Sequence, residues 1–197
     1  MQTAGAVAAL AAGRLVVFPT ESVYGLGADA RSADAVDRLV SVRGREAGKP
    51  ILVLIRDLAM AATITTDVSE AARRLATRFW PGPLTLVLPA RDDLPPPLTA
   101  GTGTIGVRVS SHPLAAALVN GLGGPVTAPS ANPPGAAPSS DIATARAYFG
   151  DAVDTYVDGG MLFGDASTVA VVEGDRVRVL RAGPVTEAAL QQALIDA

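Results

Sequence analysis

Residues 15–27 read Leu15-Val16-Val17-Phe18-Pro19-Thr20-Glu21-Ser22-Val23-Tyr24-Gly25-Leu26-Gly27: four apolar residues, a polar knot, then two glycines. The apolar run has the length and β-branched content of a buried strand. The polar knot is unsuited to a core. Pro19 fixes the backbone, two hydroxyls and a carboxylate come next, and Gly25 and Gly27 let the chain turn or let a ligand approach. Two other strand ends carry hydroxyls. Pro129-Ser130-Ala131-Asn132 comes after the short run Pro125-Val126-Thr127-Ala128, and Ala166-Ser167-Thr168-Val169 opens a further strand. Stability alone gives no reason for three such ends in one chain, so they point to a site.

Outward from this stretch, strands and helices interleave. Strands are expected over 15–18, 51–55, 84–88, 105–109, 126–128, 155–157, 168–172 and 177–180, with the last two forming a hairpin around Glu173-Gly174-Asp175. Helical spacing marks 7–12, 32–40, 57–60, 69–79, 113–119, 143–149 and 186–196, with Ser32 and Ser69 as N-caps and a Pro-rich turn over 94–97. The class is α/β with a mixed, twisted sheet, in a single domain over 1–197. At 197 residues the chain has room for an ample core.

Composition narrows the chemistry. There is no cysteine, so no disulfide framework, thiolate chemistry or Cys-ligated metal is available. His112 is the single histidine, which argues against a zinc site or a His-based triad and reads most simply as a helix-entry residue. A net charge of −3 speaks against nonspecific nucleic-acid binding by the whole surface. No apolar run reaches the roughly 18 residues of a membrane span, and the N-terminus lacks a basic region before its Ala-rich stretch, so a soluble, cytoplasmic protein is expected.

The few cations cluster. Arg43, Arg45 and Lys49 share a Gly-containing loop, where their mutual repulsion would be relieved by an anion such as a phosphate. A solvated loop is the plain alternative. Arg108 interrupts the apolar run Ile105-Gly106-Val107-Arg108-Val109. If Val107 and Val109 share the core face, Arg108 points the other way, into solvent or onto a carboxylate. Arg181 stands at another strand end. Tyr24 and Trp80 fit ordinary core aromatics, and Asp29, Asp158 and Asp165 are scattered loop acids. Neither a dinucleotide fingerprint nor a P-loop is completed at residues 19–27.

In chain order, PTESVYGLG at 19–27, VRGREAGKPILVLI at 42–55, WPGPLTLVL at 80–88, TIGVRVSSHP at 104–113, TAPSAN at 127–132, STVAVV at 167–172 and VLRAG at 179–183 resemble the YrdC/YciO-type family of threonylcarbamoyl-AMP synthases. The resemblance runs from about Val7 to about Val185. It implies a twisted mixed sheet wrapped by helices around a large basic cavity. It also implies an enzyme that joins L-threonine, bicarbonate and ATP into threonylcarbamoyl-AMP and pyrophosphate. A separate complex then transfers the threonylcarbamoyl group to the adenosine beside the tRNA anticodon. By the same resemblance, Ser22, Arg108, Ala128 and Ser167 hold threonine, and Arg45, Lys49, Thr104, Ser130 and Arg181 hold ATP. Arg43, Arg45, Ser130 and Asn132 are the catalytic set. Magnesium enters with ATP, and no dedicated protein metal site is expected.

Three departures from the family pattern stand out. Its usual Lys-x-Arg is Arg43-Gly44-Arg45, its Pro-Thr-Glu-Thr is Pro-Thr-Glu-Ser, and Leu54 replaces a frequent histidine, which implies one threonine contact fewer. The chain also stops at Ala197, so the short form, without the extra C-terminal domain of the long form, is expected. Alternatives are a YciO-like paralogue without established synthase activity, and a module binding double-stranded RNA, or touching RNA weakly, at the cavity rim. A carbamoyl-transfer domain of hydrogenase maturation would need a longer chain with zinc-finger cysteines.

Overall fold

The polar knot at residues 20–23 is the tip of a β-hairpin. The computed structural model describes residues 2–44, 48–174 and 176–196. Strand β1 (Val16–Pro19) pairs antiparallel with β2 (Tyr24–Gly27), from Val16 opposite Gly27 to Pro19 opposite Tyr24. Thr20 closes the tip, its N–H and hydroxyl both donating to Val23 O, at 3.1 and 2.7 Å. Of the two uses the sequence allows for Gly25 and Gly27, a turn or a close ligand approach, neither glycine makes the turn, and Gly25 lines the cavity described below. Both lie in a buried strand, and a Cβ on Gly27 would come 2.8 Å from Phe18 Cε1. Phe18 takes the volume that a side chain on Gly27 would need.

Strand β7 (Thr155–Tyr156) adds parallel to β1 and completes a three-stranded sheet in the order β2-β1-β7. A six-stranded sheet joins β3 (Val53–Leu54), β4 (Leu84–Pro89), β5 (Thr104–Arg108), β6 (Val126–Thr127), β8 (Thr168–Glu173) and β9 (Arg176–Arg181). Its order is β6-β3-β5-β4-β8-β9, with β3–β5 and β4–β8 parallel and the other pairs antiparallel. The mixed sheet is thus as expected. Isolated bridges from Gly25 to Ser130 and from Asp29 to Val126 tie the hairpin to the chain around β6.

Helices α1 (Gln2–Ala11), α2 (Ala33–Arg43), α3 (Leu58–Ala61), α4 (Glu70–Phe79), α5 (Pro96–Thr99), α6 (Pro113–Leu122), α7 (Ile142–Phe149) and α8 (Glu187–Ile195) cover the sheets. Ser32 and Ser69 cap α2 and α4 by accepting from Ala35 N and Ala72 N. His112 caps α6, its Nδ1 accepting from Leu114 N at 3.3 Å. The Pro-rich turn is instead the short helix α5, which suits prolines because the first-turn N–H groups have no partner anyway. The main core gathers apolar residues of β3, β4, β5 and β8 with α1, α4 and α6. A second core, around Tyr24, Leu26, Leu39 and Phe149, lies under α2 and α7. No helix among the described residues is long and apolar enough to cross a membrane.

A basic cavity as candidate active site

Strand periodicity builds the floor of a cavity of about 530 Å³. Thr104, Gly106 and Arg108 of β5 face it, and Thr85 and Val87 of β4 lie alongside, while the intervening Ile105, Val107 and Leu86 are buried in the core. The hairpin tip supplies Thr20 and Ser22, the end of α2 supplies Arg43, and the loop after β6 supplies Ala128 and Ser130. Four cations, Arg43, Lys49, Arg108 and Arg181, line the space, and no carboxylate does among the described residues. In a chain of net charge −3, that concentration of one sign marks a seat for anionic ligands.

Arg108 is the most constrained of these cations. It is only 3% exposed, and its Nη1 lies 3.3 Å from Glu21 Oε2. Glu21 is held in turn by Ser111, whose N–H and hydroxyl donate to Oε1 at 2.6 and 3.2 Å. Arg108 Nε and Glu21 Oε2 are buried without a hydrogen-bond partner among the described residues. Burial pulls the Arg108 guanidinium below its ordinary pKa; Glu21 opposes that shift and Arg181 adds to it. A positive charge so placed is under-compensated, and an incoming carboxylate would gain from it.

Arg181 is aimed by an irregularity of the sheet. Val169 pairs with Arg181 but Ala170 with Val179, so Leu180 bulges out of the ladder. The Arg181 side chain donates twice to Ser167 O, at 3.1 and 2.8 Å, and once to Ser167 Oγ at 3.1 Å. Burial lowers this guanidinium too. Ser167 Oγ also lies 2.9 Å from Thr85 Oγ1. Arg43 Nε donates to Ser130 O at 3.0 Å, which joins the end of α2, where the sequence suggests a loop, to the Ser130 turn.

The structure brings Ser22, Arg43, Lys49, Thr104, Arg108, Ala128, Ser130, Ser167 and Arg181 into this one cavity. Arg45 lies outside the described residues. Asn132 does not itself line the cavity. It is buried, and its Nδ2 donates to Pro133 O and Ala136 O, both at 2.9 Å. A backbone bond from Asn132 N to Ser130 O folds the segment tightly, so the amide holds the turn that presents Ser130. Leu54 is fully buried beside Arg108 in the ladder and is also absent from the lining, where Ile51 and Leu52 appear instead.

Sequence reasoning missed Glu21, Thr85 and the role of Tyr24. The Tyr24 hydroxyl accepts from Gly159 N at 2.9 Å and donates to Gly160 O at 2.8 Å, which pins the loop that carries Ala166 and Ser167 to the cavity. Glu21 and Tyr24 were both visible in the 19–27 motif, but their partners are 87 and about 135 residues away.

The chain thus combines a mixed α/β fold with a cavity lined by four cations and several hydroxyls. A family model described as "Telomere recombination", for the Sua5/YciO/YrdC proteins, matches residues 8–183, and the chain belongs to this family. It is 42% identical over 189 residues to threonylcarbamoyl-AMP synthase of Bacillus subtilis, covering 94% of this chain and 54% of the relative. A solved structure of Pyrococcus abyssi Sua5 complexed with L-threonine superposes with a TM-score of 0.92 at 34% identity, over 97% of this chain and 56% of that one. The chain therefore spans about half the length of these two proteins. The crystal structure of Escherichia coli YciO gives a TM-score of 0.83 at 31% identity, over 92% of this chain and 89% of that one.

Proposed function

We propose that this cavity joins L-threonine, bicarbonate and ATP into threonylcarbamoyl-AMP, with release of pyrophosphate and water. The observation that carries the reading is the cavity lining: four cations, paired hydroxyls and no carboxylate among the described residues. Names of relatives and the threonine-bound Pyrococcus protein support the substrate class. The reaction needs three anionic or zwitterionic partners held together, and fixed cations and donors serve that purpose without a nucleophile.

In this reading Arg108 takes the threonine carboxylate, with Ser22, Ser167 and the Ala128 backbone around the rest of the amino acid. Lys49, Thr104, Ser130, Arg181 and Arg45 take ATP, and Arg43 adds charge beside Ser130. No group of three acidic or histidine side chains suited to a metal occurs among the described residues. Magnesium would thus be held mainly by the triphosphate, where it offsets phosphate charge. The product passes to a tRNA threonylcarbamoyl-transfer complex in the cytoplasm. Pyrophosphate release by the purified protein tests the reading: it should require threonine and bicarbonate together, and release at the same rate without threonine would contradict it.

A second reading, a YciO-like paralogue without synthase activity, is favoured by Arg43 in place of the usual lysine and by the near-complete overlap with YciO. The same assay separates the two.

A further inference from the structure

Across the cavity floor, four strands place one row of residues side by side. Thr85 pairs with Val169, and Val169 pairs with Arg181. Leu86 pairs with Val107, so one step along that ladder Thr85 stands beside Arg108. The row reads Arg108, Thr85, Val169, Arg181, and residues in one row project from the same face. Two guanidiniums flank one hydroxyl, and the Arg181 charge is felt at Arg108.

Thr85 is 2% exposed and lines the cavity. Its hydroxyl and that of Ser167 lie 2.9 Å apart, and Arg181 Nη2 donates to Ser167 Oγ. With Ser167, whose oxygen already accepts from Arg181, donating its proton to Thr85 Oγ1, the Thr85 O–H is the one left for a ligand acceptor. Gly106 keeps the space beside Thr85 open: a Cβ there would come 3.3 Å from Thr85 Cγ2 and 3.9 Å from Leu52 Cδ1.

One donor between two cations suits one small oxyanion. Resting on the synthase reading, the carbon from bicarbonate ends bonded to the threonine nitrogen and, through oxygen, to the phosphorus of AMP. It must therefore lie between the threonine group at Arg108 and the nucleotide at Arg181, which is where the row puts Thr85. We infer that Thr85, with Ser167, seats bicarbonate between Arg108 and Arg181 and so is a further substrate-contacting residue of this site.

Thr85→Val removes the hydroxyl at nearly constant shape, and Thr85→Ser keeps it. The KM for bicarbonate should rise about tenfold or more in the valine variant and recover in the serine variant. Calorimetric Kd values for L-threonine and ATP should stay unchanged. An unchanged bicarbonate KM, or a parallel loss of all three affinities, would overturn the inference. A readout free of turnover separates this from the synthase reading: the 13C line of labelled bicarbonate should broaden with wild type and the serine variant but not with the valine variant. Broadening without product formation would sink the synthase reading and leave the seat, whereas no broadening with wild type would sink the seat.

Discussion

Arg108→Ala separates the binding role of this side chain from its structural one. Arg108 is 3% exposed, and its partner Glu21 has a side chain only 17% exposed at 3.3 Å. Removing one member of a buried ion pair costs roughly 3–5 kcal/mol. Glu21 keeps both Ser111 donors on Oε1, which places the loss at the lower end, about 3 kcal/mol. In a domain of this size that lowers Tm by roughly 6–12 °C. Adding Glu21→Gln should recover part of the loss, because no orphan carboxylate is left behind. Binding should respond differently for each ligand. Two charge-assisted bonds to a carboxylate are worth about 3 kcal/mol, or roughly 150-fold in Kd for L-threonine, while ATP affinity stays near wild type. Calorimetry of both ligands well below the melting temperature, alongside thermal melts, reads both effects. Equal losses for threonine and ATP would refute the assignment of Arg108 to the amino acid.

Arg43→Lys keeps the charge but gives up the guanidinium geometry that reaches Ser130 O, so ATP affinity should fall by roughly 1 kcal/mol, about fivefold. Arg43→Ala should lose far more, and steady-state kinetics showing no change in it would make Arg43 a solvated feature of the end of α2 with no part in ATP binding. His112 has a pKa lowered chiefly by burial, with Glu21 opposing, so the unfolded chain takes its proton first. Its contribution is therefore present above about pH 6.5 and lost as pH falls through the lower folded value. Urea midpoints at several pH values should show this slope in wild type and not in His112→Asn, which can still cap α6; equal slopes would contradict it. Gly27→Ala should destabilise by roughly 1–3 kcal/mol, because its Cβ meets the Phe18 ring at 2.8 Å. Gly25→Ala, whose nearest neighbour would be 3.5 Å away, should be milder in the same thermal melts.

How much was legible in the sequence depends on how far each cause reaches along the chain. Alternation within residues 105–109 was enough to turn Arg108 away from the core, and a carboxylate was one of the two partners it allowed. That the carboxylate is Glu21 depends on a hairpin tip meeting β5, which no local pattern encodes. Gly27 reads as a turn or ligand-approach residue because its reason, the Phe18 ring on the neighbouring strand, is a packing fact. Asn132 enters the catalytic set only through the family resemblance, and its local role, donating to Pro133 O and Ala136 O, depends on how the turn folds rather than on any sequence pattern. The aim of Arg181 comes from the bulge at Leu180, and a bulge is invisible in the run Val177-Arg178-Val179-Leu180. Thr85 read as one more strand residue until three other strands placed cations and a hydroxyl beside it.

Tracing the carbon of bicarbonate gives the sharpest test of the synthase reading. The purified protein is incubated with ATP, L-threonine and 14C-bicarbonate, and the products are separated chromatographically. The label should appear in a single species that also carries threonine and AMP, and it should vanish when any one substrate is omitted. Retention of all label as bicarbonate, with ATP intact, would contradict the synthase reading.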